Sequence, residues 1–162
     1  MADRDQRLVS KIGGVVIKPI DRYTDERGWL MELYRHDEIS KEFHPAMAYV
    51  SMTGPGVTRG PHEHVDQADL FCFVGPSTFR LYLWDNREKS KTSGVHERFE
   101  LGEHNPVMVI VPKGVVHAYK NIGDGDGIVF NAPNRLYRGK GKKEPVDEIR
   151  HEDDPSSPFI VD

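Results

Sequence analysis

Apolar positions in this chain fall into short runs separated by turn-forming residues. The clearest runs are 15–20, 29–34, 46–52, 70–74, 79–84, 107–111 and 128–131. Within 79–84, Phe79, Leu81 and Leu83 alternate with Arg80, Tyr82 and Trp84. A period of two is that of a strand, whose successive side chains point to opposite faces. Gly13-Gly14, Gly54-Pro55-Gly56, Gly75-Pro76 and Gly123-Asp124-Gly125-Asp126-Gly127 punctuate the runs as turns. One short helix is predicted near 37–43, where Asp37 and Glu38 supply acidic first-turn residues. Many short strands with few helices predict an all-β protein, a sandwich or jelly roll.

The ends read differently. Residues 1–12 form a polar N-terminal arm. Residues 138–143 are basic and glycine-containing, residues 144–154 are mostly acidic, and Pro155-Ser156-Ser157-Pro158 follows. Such a segment is expected to be a solvated, partly ordered tail. The competing expectation is a lid that carries charge over a pocket mouth, with Phe159-Ile160-Val161 docked on the body. The 162 residues fit one domain.

Composition narrows the functional classes. A net charge of −4 gives no reason to expect nucleic-acid binding. Cys72 is the one cysteine, so no internal disulfide can form, and its apolar run predicts a packed core thiol. The first seven residues lack the apolar centre of a signal peptide, and no apolar run reaches membrane-spanning length. The expected setting is the cytosol, with no membrane partner.

The chemistry concentrates in Gly56-Val57-Thr58-Arg59-Gly60-Pro61-His62-Glu63-His64, followed by Asp69. On a strand His62 and His64 face one way and Glu63 the other. Two imidazoles on one face can share a metal ion, or one can act as a base near neutral pH. Downstream, Pro112-Lys113-Gly114 turns into a run that carries His117 and ends at Asn121.

Together these two segments resemble the paired motifs of the cupins. Gly56, His62, His64 and Gly75 fit the first, with Asp69 in place of its glutamate; His117 fits the second, with Pro106 in place of its opening glycine. The resemblance implies a jelly-roll barrel with an internal pocket. His62, His64, Asp69 and His117 could then offer three nitrogens and one oxygen to Zn, Fe, Ni or Mn.

A narrower resemblance is to nucleotide-sugar epimerases of the dTDP-4-dehydrorhamnose 3,5-epimerase family. It rests on Asp25-Glu26-Arg27-Gly28 with Glu32, on Gly56 to His62, on Asp85-Asn86-Arg87 with Ser90 and Thr92, and on the His117 segment. It implies a 4-keto sugar on a nucleoside diphosphate, dTDP-linked in preference, and no cofactor. His62 would remove a proton beside the ketone, oriented by a carboxylate of the C-terminal segment. Arg27 and Arg59 would pair with the diphosphate, Glu32 would contact the nucleotide end, and His117 would face the substrate.

The chain also departs from the family. Its lysine falls at Asp69, its tyrosine acid falls near Phe130, and it has no second histidine at His64. Tyr137 matches a second family tyrosine and is the substitute acid. A homodimer is expected, with 15–20 as the exchanged edge. The alternatives are a 3,4-ketoisomerase, a metal-dependent cupin enzyme acting on another small molecule, and a non-catalytic sugar-nucleotide binding module.

Overall fold

The computed structural model describes residues 8–162. In chain order the strands are β1 (Val16–Pro19), β2 (Arg22–Asp25), β3 (Gly28–Met31), β4 (Tyr49–Thr53), β5 (Thr58–Glu63), β6 (Asp69–Phe73), β7 (Thr78–Asp85), β8 (His96–Gly102), β9 (Val107–Val111), β10 (Val115–Asn121), β11 (Gly127–Asn131) and β12 (Ile149–Arg150). One sheet has the order β1-β9-β6-β11-β4, the other β12-β5-β10-β7-β8, and β2-β3 is a separate hairpin. Every named pairing is antiparallel. The sheets face each other as a jelly roll, the architecture expected from the alternating runs.

The period of two explains the layers. Phe71, Phe73, Phe79, Leu81, Leu83, Val109 and Val129 point between the sheets and form the central core. Alternate residues are also covered. Leu70, Cys72, Met108 and Ile110 pack outside the first sheet under Met31, Leu33, Tyr34, Ile39 and Phe43. Tyr82, Trp84, Val116 and Ala118 pack outside the second sheet under Phe159 and Val161. Cys72 is fully buried, and burial pushes its thiol up to about 12.

Three expectations change. The predicted helix near 37–43 is two single 3₁₀ turns, His36–Glu38 and Lys41–Phe43, separated by extended Ile39. Ile39 and Phe43 are both drawn onto the first sheet, and a seven-residue helix would gain too few hydrogen bonds to compete. The segment 138–162 is not a solvated tail. β12 adds to the edge of β5, and Asp162 accepts hydrogen bonds from Tyr82, Arg98 and Lys120. Of the polar arm 1–12, residues 1–7 lie outside the described residues, while Ile12 is buried in the central core.

The Asp85-Arg87-Ser90-Thr92 motif is a loop tie. Asp85 accepts from Arg87 Nε at 2.8 Å and from the hydroxyls of Ser90 and Thr92 at 2.6 Å each. Burial would raise the Asp85 carboxyl, but these donors hold it well below the usual carboxylate range. The motif fixes the β7–β8 connection and does not line the main cavity described below.

One irregularity shapes the functional wall. Along β5 and β10, His62 faces His117 and Arg59 faces Tyr119, so three steps on β5 match two on β10. This bulge puts Arg59 and His62 on the same face, which regular alternation forbids. Gly60 makes it possible, at φ 91° and with its backbone against β10. A Cβ there would lie 2.7 Å from the His117 carbonyl oxygen. We expect Gly60→Ala to lower the unfolding free energy by about 2–4 kcal/mol, combining backbone strain with displacement of β10. Urea unfolding within error of wild type would refute this reading of the bulge.

Candidate active site

The central core fills only part of the space between the sheets. The remainder is a cavity of about 1230 Å³. Tyr49, Ser51, Asp69, Phe71 and Asn131 line it from the first sheet, and Arg59, His62, His117, Tyr119 and Arg150 from the second. The connections contribute His64, Tyr137, Arg138, Lys140 and Lys142.

His62 is held on both ring nitrogens by the C-terminal segment. Nε2 lies 2.6 Å from Glu152 and Nδ1 lies 3.3 Å from Glu148. The shorter contact assigns the proton to Nε2, which donates to Glu152. Glu148 lines the cavity, so the basic Nδ1 is the nitrogen on the cavity side. Burial pushes the His62 imidazole below its ordinary value and outweighs the opposing pull of Glu148 and Glu152. This shift favours the neutral ring, the form that can accept a proton.

Glu63 points away, as alternation requires, and accepts from Asn86 and from His151 at 2.8 Å. β12 supplies Arg150 to the cavity, and Glu148 precedes it directly. The Asp147 carboxylate anchors the segment by accepting the backbone N–H groups of Val65, Asp66 and Gln67 at 2.8, 2.9 and 2.8 Å.

His64, Asp69 and His117 form a second, buried group. Asp69 Oδ2 lies 2.9 Å from His64 Nε2 and 3.2 Å from His117 Nε2, and Asp69 Oδ1 accepts from Gln67 at 2.8 Å. His64 Nδ1 donates to the Asp147 carbonyl, and His117 Nδ1 donates to the Val115 carbonyl at 3.2 Å. Burial alone would depress the His64 imidazole. The bond and charge of Asp69, with the Asp147 carbonyl, more than offset it and raise the group to about 9. Burial likewise works against the Asp69 carboxylate, but the two histidines hold it well below its usual range.

The four-ligand metal set expected from the sequence is not assembled. His62 stands apart, turned to Glu148 and Glu152. The donor atoms of His64, Asp69 and His117 do lie within 4.8 Å of one another. Yet both ring nitrogens of His64 already donate, one to a carboxylate and one to a carbonyl, which makes it an imidazolium. A metal bound there would have to displace the His64 proton that bonds Asp69. The three residues fit an ion-paired triad, and no chemistry is routed through a metal.

The remaining predicted residues divide. Arg59 lines the cavity and donates to Thr53 Oγ1 and the Met52 carbonyl, both at 2.8 Å. His117 and Tyr137 also line it. Arg27 and Glu32 do not. Arg27 sits at the tip of the β2–β3 hairpin, paired with Asp25, and Glu32 lies 3.6 Å from Arg35. The hairpin packs on the outside of the first sheet through Met31, and neither Arg27 nor Glu32 lines the cavity of its own chain. Sequence reasoning did not single out Glu148, Glu152 or Tyr49; the basic stretch 138–143, for which a charged lid was the competing expectation, places Arg138, Lys140 and Lys142 on the cavity. The signal for the first two was Glu148-Ile149-Arg150, a charged-apolar-charged alternation that is a strand pattern.

Comparison with known proteins gives the setting of this site. The family model described as dTDP-4-dehydrorhamnose 3,5-epimerase matches residues 9–153. The probable low-salt glycan biosynthesis epimerase Agl13 of Haloferax volcanii is 39% identical over 128 residues, which cover 78% of this chain and 81% of that protein. The spore coat polysaccharide biosynthesis protein SpsL of Bacillus subtilis is 39% identical over 113 residues, 70% of this chain and 74% of that one. The crystal structure of a dTDP sugar isomerase from Desulfovibrio desulfuricans superposes with a TM-score of 0.80 at 25% identity, covering 95% of this chain and 94% of that one. With a family match over nearly the whole described chain and relatives at this identity, the protein belongs to the dTDP-4-dehydrorhamnose 3,5-epimerase family.

Proposed function

We propose that this protein epimerises a nucleoside-diphosphate-linked 4-keto-6-deoxyhexose, dTDP-linked in preference, for polysaccharide or glycan synthesis. The observation that carries this reading is His62, held by Glu152 at 2.6 Å and facing a cavity large enough for a sugar nucleotide. His62 Nδ1 removes the proton from a carbon beside the ketone, and the C–H electrons pass into the enolate. Arg59 provides a planar donor fork for the diphosphate, and Arg138, Lys140 and Lys142 add positive charge along the same cavity. His117, from the same wall as His62, faces the sugar.

Solvent deuterium uptake into dTDP- and GDP-linked 4-keto-6-deoxyhexoses tests the reading. Uptake is expected to persist in EDTA. A protein that binds these nucleotides yet exchanges no proton would be a binding module, and the epimerase reading would fall.

The family resemblance of Arg27 and Glu32 fits a homodimer in which the hairpin of one chain reaches the cavity of its partner. Tyr23, Trp29 and Leu30 on that hairpin are 62%, 58% and 64% exposed, an apolar surface suited to burial against a second copy. β1, the predicted exchanged edge, instead pairs with β9 of its own chain and leaves one side open. Sedimentation of the protein as a monomer at micromolar concentration would overturn the dimer.

A further inference from the structure

Epimerisation needs a proton donor on the face of the sugar opposite the base. The family resemblance put its tyrosine near Phe130 and offered Tyr137 as the substitute. The structure shows that Phe130 was never on the cavity: it packs outside the first sheet with Ile20, Leu70 and Cys72. The residue of β11 that faces the cavity is Asn131. Its amide donates to the Val129 carbonyl at 3.0 Å and cannot serve as an acid.

Directly across the ladder from Asn131 is Tyr49 of β4. Residues opposed in an antiparallel pair project from the same face, and Tyr49 indeed lines the cavity beside Asn131. The sheet assignment adds the decisive geometry. Tyr49 belongs to the first sheet and His62 to the second, so the two groups reach the cavity from different walls. The other cavity tyrosines are placed differently. Tyr119 comes from the same wall as His62, is 6% exposed, and its hydroxyl is already hydrogen-bonded to Ser51 at 3.1 Å. Tyr137 stands on the connection after β11, not on either wall.

We propose that Tyr49 of β4 is the proton donor of this enzyme. This rests on the epimerase reading above. His62 Nδ1 takes the proton from one face, and the electron pair is held in the enolate. The Tyr49 hydroxyl gives its proton to the same carbon from the other face as the ketone re-forms. The phenolate then regains a proton from water and the His62 imidazolium loses one to water, so one proton leaves and one enters per turnover.

The surroundings favour a donor that stays protonated until it is needed. Although Tyr49 is 47% exposed, desolvation of its phenol, then the charges of Asp69 and Glu148, push the group above its ordinary range, against a smaller opposing effect of Arg59. It remains a stronger acid than a C–H bond beside a ketone, so delivery to the enolate carbon is downhill.

The test follows both exchange and inversion by NMR in D₂O, with wild type, Tyr49→Phe and Tyr137→Phe on a dTDP-4-keto-6-deoxyhexose. Tyr49→Phe should still wash deuterium into the starting sugar with retained configuration, because His62 can return a deuteron to the face it came from. Inversion should slow by about 100-fold or more, with KM changed less than about twofold. Inversion by Tyr49→Phe at the wild-type rate overturns the proposal, as does loss of inversion in Tyr137→Phe alone. Equal loss of exchange and inversion in Tyr49→Phe also overturns it, since the residue would then act on enolisation itself. No exchange by wild type overturns the epimerase reading and the role of Tyr49 with it.

Discussion

His62→Ala is expected to slow solvent exchange into the 4-keto sugar by about three powers of ten while the protein stays folded and binds dTDP. A positioned general base contributes roughly 10²–10⁴ in rate, and His62 is the cavity histidine set between two carboxylates of the C-terminal segment. His64 donates from both nitrogens, and the ring nitrogens of His117 are turned to Asp69 and the Val115 carbonyl. The pH profile provides a second check. The base must be neutral to act, so the rate rises with pH through the His62 pKa. Burial holds that value below the ordinary imidazole figure of about 6.5. The acid limb should therefore lie below pH 6.5, with the plateau reached by neutrality. A limb centred above pH 7, or an active His62→Ala protein, would remove His62 as the base.

Asp69→Ala should be the most destabilising single change in the cavity, by about 3–5 kcal/mol. It leaves a buried imidazolium at His64 without its counter-charge, and loss of one partner of a buried pair costs far more than the pair contributes. Linkage gives the sign with pH. The His64 pKa is raised from about 6.5 when unfolded to about 9 when folded. Its contribution is fully present below pH 6.5 and is lost as pH rises through 9, an amount of at most about 3 kcal/mol. The depressed Asp69 carboxyl works at the other end. Its contribution is present above the unfolded value of about 4 and is lost as pH falls towards its folded pKa. Both shifts describe one interaction and are not summed. Chemical denaturation of wild type from pH 6.5 to 9.5 should show stability falling, and Asp69→Ala should flatten that slope. A pH-independent wild type would refute the imidazolium assignment.

The triad also answers the missing lysine. With Asp69 at the lysine position, the sequence suggested a carboxylate that would repel an enolate unless a metal intervened. In the fold that charge is neutralised by His64 and shared with His117. The wall seen by the substrate is then not net negative at this point.

Much of this was legible in the chain. Strand alternation in 79–84 and the turn glycines determined a two-layer β fold, and the spacing of His62 and His64 determined that they share a face. The motifs around Arg59 and His117 named the family and put both residues at the cavity. Tertiary structure decided the rest, because it depends on which strands are neighbours and how chain ends return. No local pattern says that Glu152, 90 residues after His62, comes back to hold it. A bulge at Gly60 puts Arg59 and His62 on one face although their spacing is odd. The β4–β11 register sets Tyr49 opposite Asn131, and the outward face of β11 removes Phe130 from the site. Local sequence sets which face a side chain takes on its own strand; only long-range pairing sets which strand stands across the cavity.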